Sequence, residues 1–70
     1  MQKIRSEVTG TVWKVQVKEG QKVEADEVLI IVESMKMEIP IVAENAGVVS
    51  EIYVGEGDSV ADDQLVIQLD

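Results

Sequence analysis

The segment Glu33-Ser34-Met35-Lys36-Met37-Glu38 places one primary amine between two flexible thioethers, with a carboxylate on each shoulder. A lysine amine is protonated at neutral pH and is a poor nucleophile until something deprotonates or desolvates it. Nothing else in the chain is equipped to do so. There is no His and no Cys. Ser-His and Cys-His catalytic pairs, disulfides and thiolate metal sites are therefore excluded. No Gly-rich phosphate loop is present either. The acidic corners Asp26, Glu27, Asp62 and Asp63 invite a cation reading, but a pair of matching turns accounts for them equally well. Glu33 and Glu38 serve solubility, or contact an enzyme that visits Lys36. Trp13 and Tyr53 fall on apolar runs and are expected to pack in the core or at its rim.

The elements that must position Lys36 are short strands. Of 70 residues, 13 are Val and 7 are Ile, against three Leu and four Ala. Stiff β-branched side chains suit a pleated, half-buried surface better than a helix. The expected strands are Lys3–Arg5, Thr11–Val17, Lys22–Val23, Val28–Glu33, Met37–Val42, Val48–Val54, Ser59–Val60 and Leu65–Leu69. Gly20, Gly47, Gly55 and Gly57 mark turns between them. Pro40 interrupts the run that follows the lysine and lacks a donor, so that strand belongs at a sheet edge or a bulge.

Shifted by 37 residues, the chain matches itself without a gap. Glu7 falls on Glu44, Gly10 on Gly47, Val12 on Val49, Val17 on Val54 and Glu19 on Glu56. Gly20 then falls on Gly57, Val23 on Val60, Asp26 on Asp63 and Ile30 on Ile67. Two copies of a four-strand unit predict an all-β fold. The expected form is a flattened eight-stranded barrel of two four-stranded antiparallel sheets with quasi-twofold internal symmetry. Neither unit buries its apolar face alone. If the twofold crosses the long axis, the Lys36 link projects from one end and the chain termini lie at the other.

Residues 33–38 leave room only for a hairpin, with Met35-Lys36 as a two-residue turn. Such turns ordinarily hold Asn-Gly or Asp-Gly, because positive φ is needed. Two bulky side chains there break the local rule, and such breaks concentrate at functional sites. The plain alternative is a solvated lysine with both methionines folded back onto the barrel.

Met35-Lys36-Met37 resembles the modification motif of biotinyl domains, the carrier domains of biotin-dependent carboxylases, with Ser34 where the family usually has Ala. The resemblance covers the whole chain, 1–70, as a single biotinyl domain. It is nearest to the small free-standing biotin/lipoyl attachment proteins. It implies biotin in amide linkage to Lys36, with Met35 and Met37 as the flanking residues of the cofactor site, and no catalytic or metal residues. It implies a non-catalytic carrier, acylated by a biotin ligase, that shuttles a carboxyl group between biotin carboxylase and carboxyltransferase sites. Lipoyl carrier domains of 2-oxo-acid dehydrogenase-type complexes are sister folds, and lipoate is the alternative cofactor. Glu33-Ser34 fits their pattern, whereas Met35 and Met37 do not.

Fourteen acidic against six basic residues give a formal charge of −8. That charge repels nucleic acid and anionic lipid, so neither is an expected partner. The longest apolar run, Val28–Val32, is strand-sized. The first ten residues carry Lys3, Arg5 and Glu7 among few apolar ones, unlike a signal peptide. A cytoplasmic monomer is the expectation.

Overall fold

Alternation of Val and Ile with polar residues gives each strand one face to bury. In the computed structural model, which describes residues 2–70, eight strands do so. They are β1 (Gln2–Arg5), β2 (Gly10–Val15), β3 (Lys22–Val23), β4 (Val28–Ser34), β5 (Met37–Val42), β6 (Gly47–Ile52), β7 (Ser59–Val60) and β8 (Leu65–Leu69). They form two antiparallel sheets, ordered β1-β8-β6-β3 and β5-β4-β2-β7. Among the described residues there is no helix, and so none long and apolar enough to cross a membrane.

Between the sheets lies a core of Val and Ile, completed by Leu29, Leu69 and Ala43. Leu29, Ile30, Val32, Val66, Ile67 and Leu69 are fully buried. Each such side chain contributes about 1.5–3 kcal/mol relative to exposure. Val28–Val32 is less regular than simple alternation. A bulge between Val28 and Ile30 turns both Leu29 and Ile30 inward.

The 37-residue repeat is a structural twofold. Gly20 N–H donates to Val49 O and Gly57 N–H to Val12 O. Asp26 N–H donates to Ala43 O, and Asp63 N–H to Ser6 O. Glu19 accepts from Ile52 N–H, just as Glu56 accepts from Val15 N–H. Even the bulge of β2 against β4, after Val12, recurs in β6 against β8, after Val49. The repeats interlock: β3 of the first pairs with β6 of the second, and β7 of the second pairs with β2 of the first.

β1, β2 and β6 each begin one residue earlier than expected and β4 ends one residue later, at Ser34; two ends differ by more. β2 stops at Val15 and β6 at Ile52, two residues early. Val17 is still buried, so its apolar character was real. Past those ends one isolated backbone bond remains in each repeat, Gln16 N–H to Leu29 O and Tyr53 N–H to Val66 O.

Candidate functional site

The β4–β5 hairpin pairs Val32 with Ile39, Glu33 with Glu38 and Ser34 with Met37, leaving Met35-Lys36 as the turn. Met35 has φ 52° and Lys36 φ 65°. Two positive values in succession are the mark of a type I′ hairpin turn, whose twist matches that of the strands. For L-residues this backbone costs about 1–2 kcal/mol each. Among the described residues, Asp26 and Asp63 are the other non-glycine residues with positive φ. Their short polar side chains tolerate it; Met and Lys have no such relief.

Neither methionine folds back on the barrel: Met35 is 91% exposed and Met37 63%. The alternative of a lysine with packed methionines is therefore overturned. Val32, two residues before Ser34, is fully buried. Core contact ends there, and β4 and β5 run on past it into solvent.

The base of the hairpin is fastened. Ser34 Oγ donates to Thr9 O at 2.8 Å, and Thr9 Oγ1 accepts from Asp62 N–H at 3.1 Å. The Ser34–Thr9 latch had no signal in the sequence, because its partners are 25 residues apart. Gly10 lies directly beneath: a Cβ there would overlap the carbonyl oxygen of Glu33. Glu33 and Glu38 stand opposite each other and exposed, a repulsive arrangement that gives the tip a negative collar.

β5 is the outer strand of its sheet, and Pro40 sits on it opposite Ile31, as its missing donor requires. Leaving the tip, β5 delivers the chain to Asn45, whose N–H donates to Gln2 Oε1. β1 runs from Gln2 the other way and delivers the chain to Thr9, beneath Ser34. The lysine tip and the paired ends Gln2 and Leu69 thus lie at opposite ends of a molecule 30 Å long.

Trp13 and Tyr53 are exposed, at 44% and 45%, which corrects the expectation that they pack in the core or at its rim. Trp13 is the extra residue of the β2 bulge and so turns outward with Lys14, whose Nζ lies 5.7 Å from the indole centroid. Tyr53 donates to Gln68 Oε1, and the Glu51 carboxylate beside it raises its pKa. Asp26 and Asp63 shape twin turns, and among the described residues no cluster of carboxylates could hold a metal ion.

A covalently attached acid needs an exposed amine and room around it, and Lys36 offers both. The wider grooves lie elsewhere. One of about 390 Å³ separates β1 from β5 around Lys3, Arg5, Pro40 and Asp63; one of about 270 Å³ lies beside Lys22 and Gly47. Neither is lined by Lys36.

The family model described as biotin-requiring enzyme matches residues 2–69. The biotin/lipoyl attachment protein of Bacillus subtilis (strain 168) is 44% identical over 63 residues, covering 90% of this chain and 86% of that protein. Among solved structures, the urea carboxylase of Kluyveromyces lactis superposes with a TM-score of 0.92 at 37% identity. That match covers 97% of this chain but only 6% of the carboxylase. The lipoyl domain of the 2-oxoglutarate dehydrogenase complex of Azotobacter vinelandii superposes with a TM-score of 0.76 at 35% identity, covering 90% of this chain and 80% of that one.

Proposed function

The chain belongs to the biotin/lipoyl attachment family, and from that premise we propose that it is a biotin carboxyl carrier whose biotin is joined by an amide to Lys36. The observation that carries this reading is the tip itself. Met35 and Lys36 hold a backbone that suits neither, and Lys36 stands between two exposed methionines beyond the end of the core. Such strain persists where function requires it.

Residues 1–70 act as one biotinyl domain. Lys36 Nζ supplies the amine, and Met35 and Met37 are the side chains that a biotin ligase reads on either side of it. The paired strands β4 and β5 on either side fix where the turn is presented. The latch from Ser34 to Thr9 keeps the hairpin from bending at its base. Acylation removes one positive charge, taking the formal charge from −8 to −9. Biotin, when bound, supplies a ring nitrogen able to carry a carboxyl group between a biotin carboxylase site and a carboxyltransferase site. The domain has no catalytic group of its own. Its part is to hold the amine on a rigid, strongly acidic body that leaves each site readily, as a cytoplasmic monomer. Tethering keeps the carried group at high local concentration at both sites.

Lipoate on the same lysine is the second reading. The fold is shared with a lipoyl domain, and Glu33-Ser34 fits that group's motif. Met35 and Met37 favour biotin.

Incubation of the chain with biotin ligase, ATP and biotin, followed by intact-mass measurement, is the test. One biotinyl group per chain is expected, and none on Lys36→Arg. Labelling of Lys36→Arg to the parent level would overturn the assignment, and a lipoyl adduct in place of biotin from the native cells would favour the second reading.

A further inference from the structure

The internal twofold supplies a comparison for surface residues outside the lysine turn, because residues 1–33 each have a mate 37 positions away among residues 38–70. On the outer face of the β5-β4-β2-β7 sheet, one row crosses three strands. Trp13 and Lys14 on β2 flank Ile31 on β4, which pairs with Pro40 on β5. Trp13 is 44% exposed, Ile31 half-buried and Pro40 exposed. In the matching row of the other sheet Ser50 and Glu51 flank Gln68, which pairs with Lys3; the mates Lys14 and Glu51 are both charged. Three apolar residues on the lysine-bearing sheet thus stand where its twin has three polar ones. One row nearer the tip the contrast reverses, with Thr11 standing for Val48, so general hydrophobicity of this sheet is not the cause.

Packing within the domain does not account for an indole turned out of a bulge. Trp is strongly enriched at the few residues that carry most of a protein–protein binding energy. The row lies three residues along β4 from Ser34, about 10 Å at strand rise. Between it and Lys36 stand the carboxylates of Glu33 and Glu38.

We propose that the outer face formed by Trp13, Ile31 and Pro40 is the surface on which the biotin ligase seats itself while it acylates Lys36. The inference rests on the biotin reading of Lys36. The seat it requires is an apolar recess for the indole, with basic side chains facing Glu33 and Glu38. Reach favours the ligase over the enzymes that later use the carried group. An enzyme acting on the lysine nitrogen meets it at the end of one short side chain, so its body presses on the tip and the adjoining strands. Enzymes that use the attached group meet it at the end of a longer arm. A second copy of the domain is disfavoured, since it would bring two bodies of charge −8 together beside their acidic collars.

The experiment exchanges each residue for its mate: Trp13→Ser, Ile31→Gln and Pro40→Lys, singly and together, in the full chain. Gln68→Ala and Glu51→Gln on the other sheet, outside the groove that Pro40 lines, are controls. With a purified biotin protein ligase, ATP and biotin, the triple exchange is expected to raise KM for the domain about tenfold or more with kcat nearly unchanged. The controls should match the parent. Circular dichroism checks folding. Should the triple exchange not fold, Trp13→Ser and Pro40→Lys alone decide. A second readout needs no turnover: Lys36→Arg should compete with the parent for ligase, and Lys36→Arg with Trp13→Ser should compete poorly. Parent-like KM in the folded exchanges would overturn the seat while leaving Lys36 as the biotin site. Normal biotinylation with impaired carboxyl transfer would assign the face to the carboxylase sites, and a dimer dissociated by Trp13→Ser would assign it to a second copy; each overturns the proposal. A parent that takes no biotin would remove both readings together.

Discussion

Met35 and Lys36 adopt the left-handed backbone that a two-residue hairpin demands, and neither has a side chain that eases it. The strain has a measurable consequence. Asn is far better suited to the first turn position. Met35→Asn should therefore raise the unfolding free energy by about 1 kcal/mol. In a domain of this size that shifts the thermal midpoint by roughly 4–8 °C. The same change removes a thioether beside the amine, so ligase turnover should fall while stability rises. Thermal melts and ligase kinetics on one preparation check both halves, and a variant that melts no higher than the parent would locate no strain at Met35. The oddity of this turn was legible in the sequence, since bulky residues stood where Asn-Gly belongs. The sequence left the methionines two readings, exposed at the tip or folded back, because nothing in the local pattern says that β4 and β5 outrun the core; the exposed reading holds.

At the level of strands, the hairpin is only as well placed as the loop beneath it. Gly10 and Gly47 are twofold mates, and each lies against a backbone carbonyl. A Cβ at Gly10 would overlap Glu33 O, inside β4 and directly below the turn. A Cβ at Gly47 would come within 2.6 Å of Asp70 O, beyond the last residue of β8. A carbonyl inside a paired strand cannot yield without moving its neighbours, whereas one past a strand end can. Gly10→Ala should accordingly cost about 2–3 kcal/mol, in the range of overpacked sites, and slow acylation of Lys36. Gly47→Ala should cost clearly less and leave acylation alone. Denaturant titration and ligase assays separate the two; equal costs would mean that β4 is no better held than the end of β8. The eight strands were readable from Val and Ile runs, and the twofold from the 37-residue self-match. The ends at Val17 and Val54 were not, because a buried or half-buried side chain can sit on backbone that has already left the ladder. Trp13 escaped for a related reason: a bulge adds a residue and reverses the face that alternation assigns.

Across the whole molecule, the twofold separates attachment from anchorage. The shift of 37 that carries Gly10 onto Gly47 carries the lysine turn onto the place where the chain's two ends lie side by side, with Gln2 paired to Leu69. Strand direction sets these two places at opposite ends of the long axis, along which the molecule extends 30 Å. β5 runs from the tip to the Asn45 loop, hydrogen-bonded to Gln2, and β1 runs back from Gln2 to the Thr9 loop, hydrogen-bonded to Ser34. A body fused to either end therefore extends away from Lys36, and an enzyme approaching the tip does not meet it. Joining a rigid folded protein directly after Asp70, or before Gln2, should leave ligase kcat/KM within about twofold of the free chain, because no buried contact or backbone bond near the tip is altered. The Thr9 and Asp62 loops are different. They meet at 3.1 Å beneath the hairpin, at the tip end of the barrel. The same protein inserted between Asp62 and Asp63 should lower kcat/KM by more than tenfold even when circular dichroism shows the barrel intact, because it crowds the approach to Lys36. Parallel assays of the two fusions and the insertion read the arrangement directly. A terminal fusion that slows acylation as much as the insertion would mean that the ligase wraps the full length of the barrel, and that separation along the axis does not govern access to the lysine.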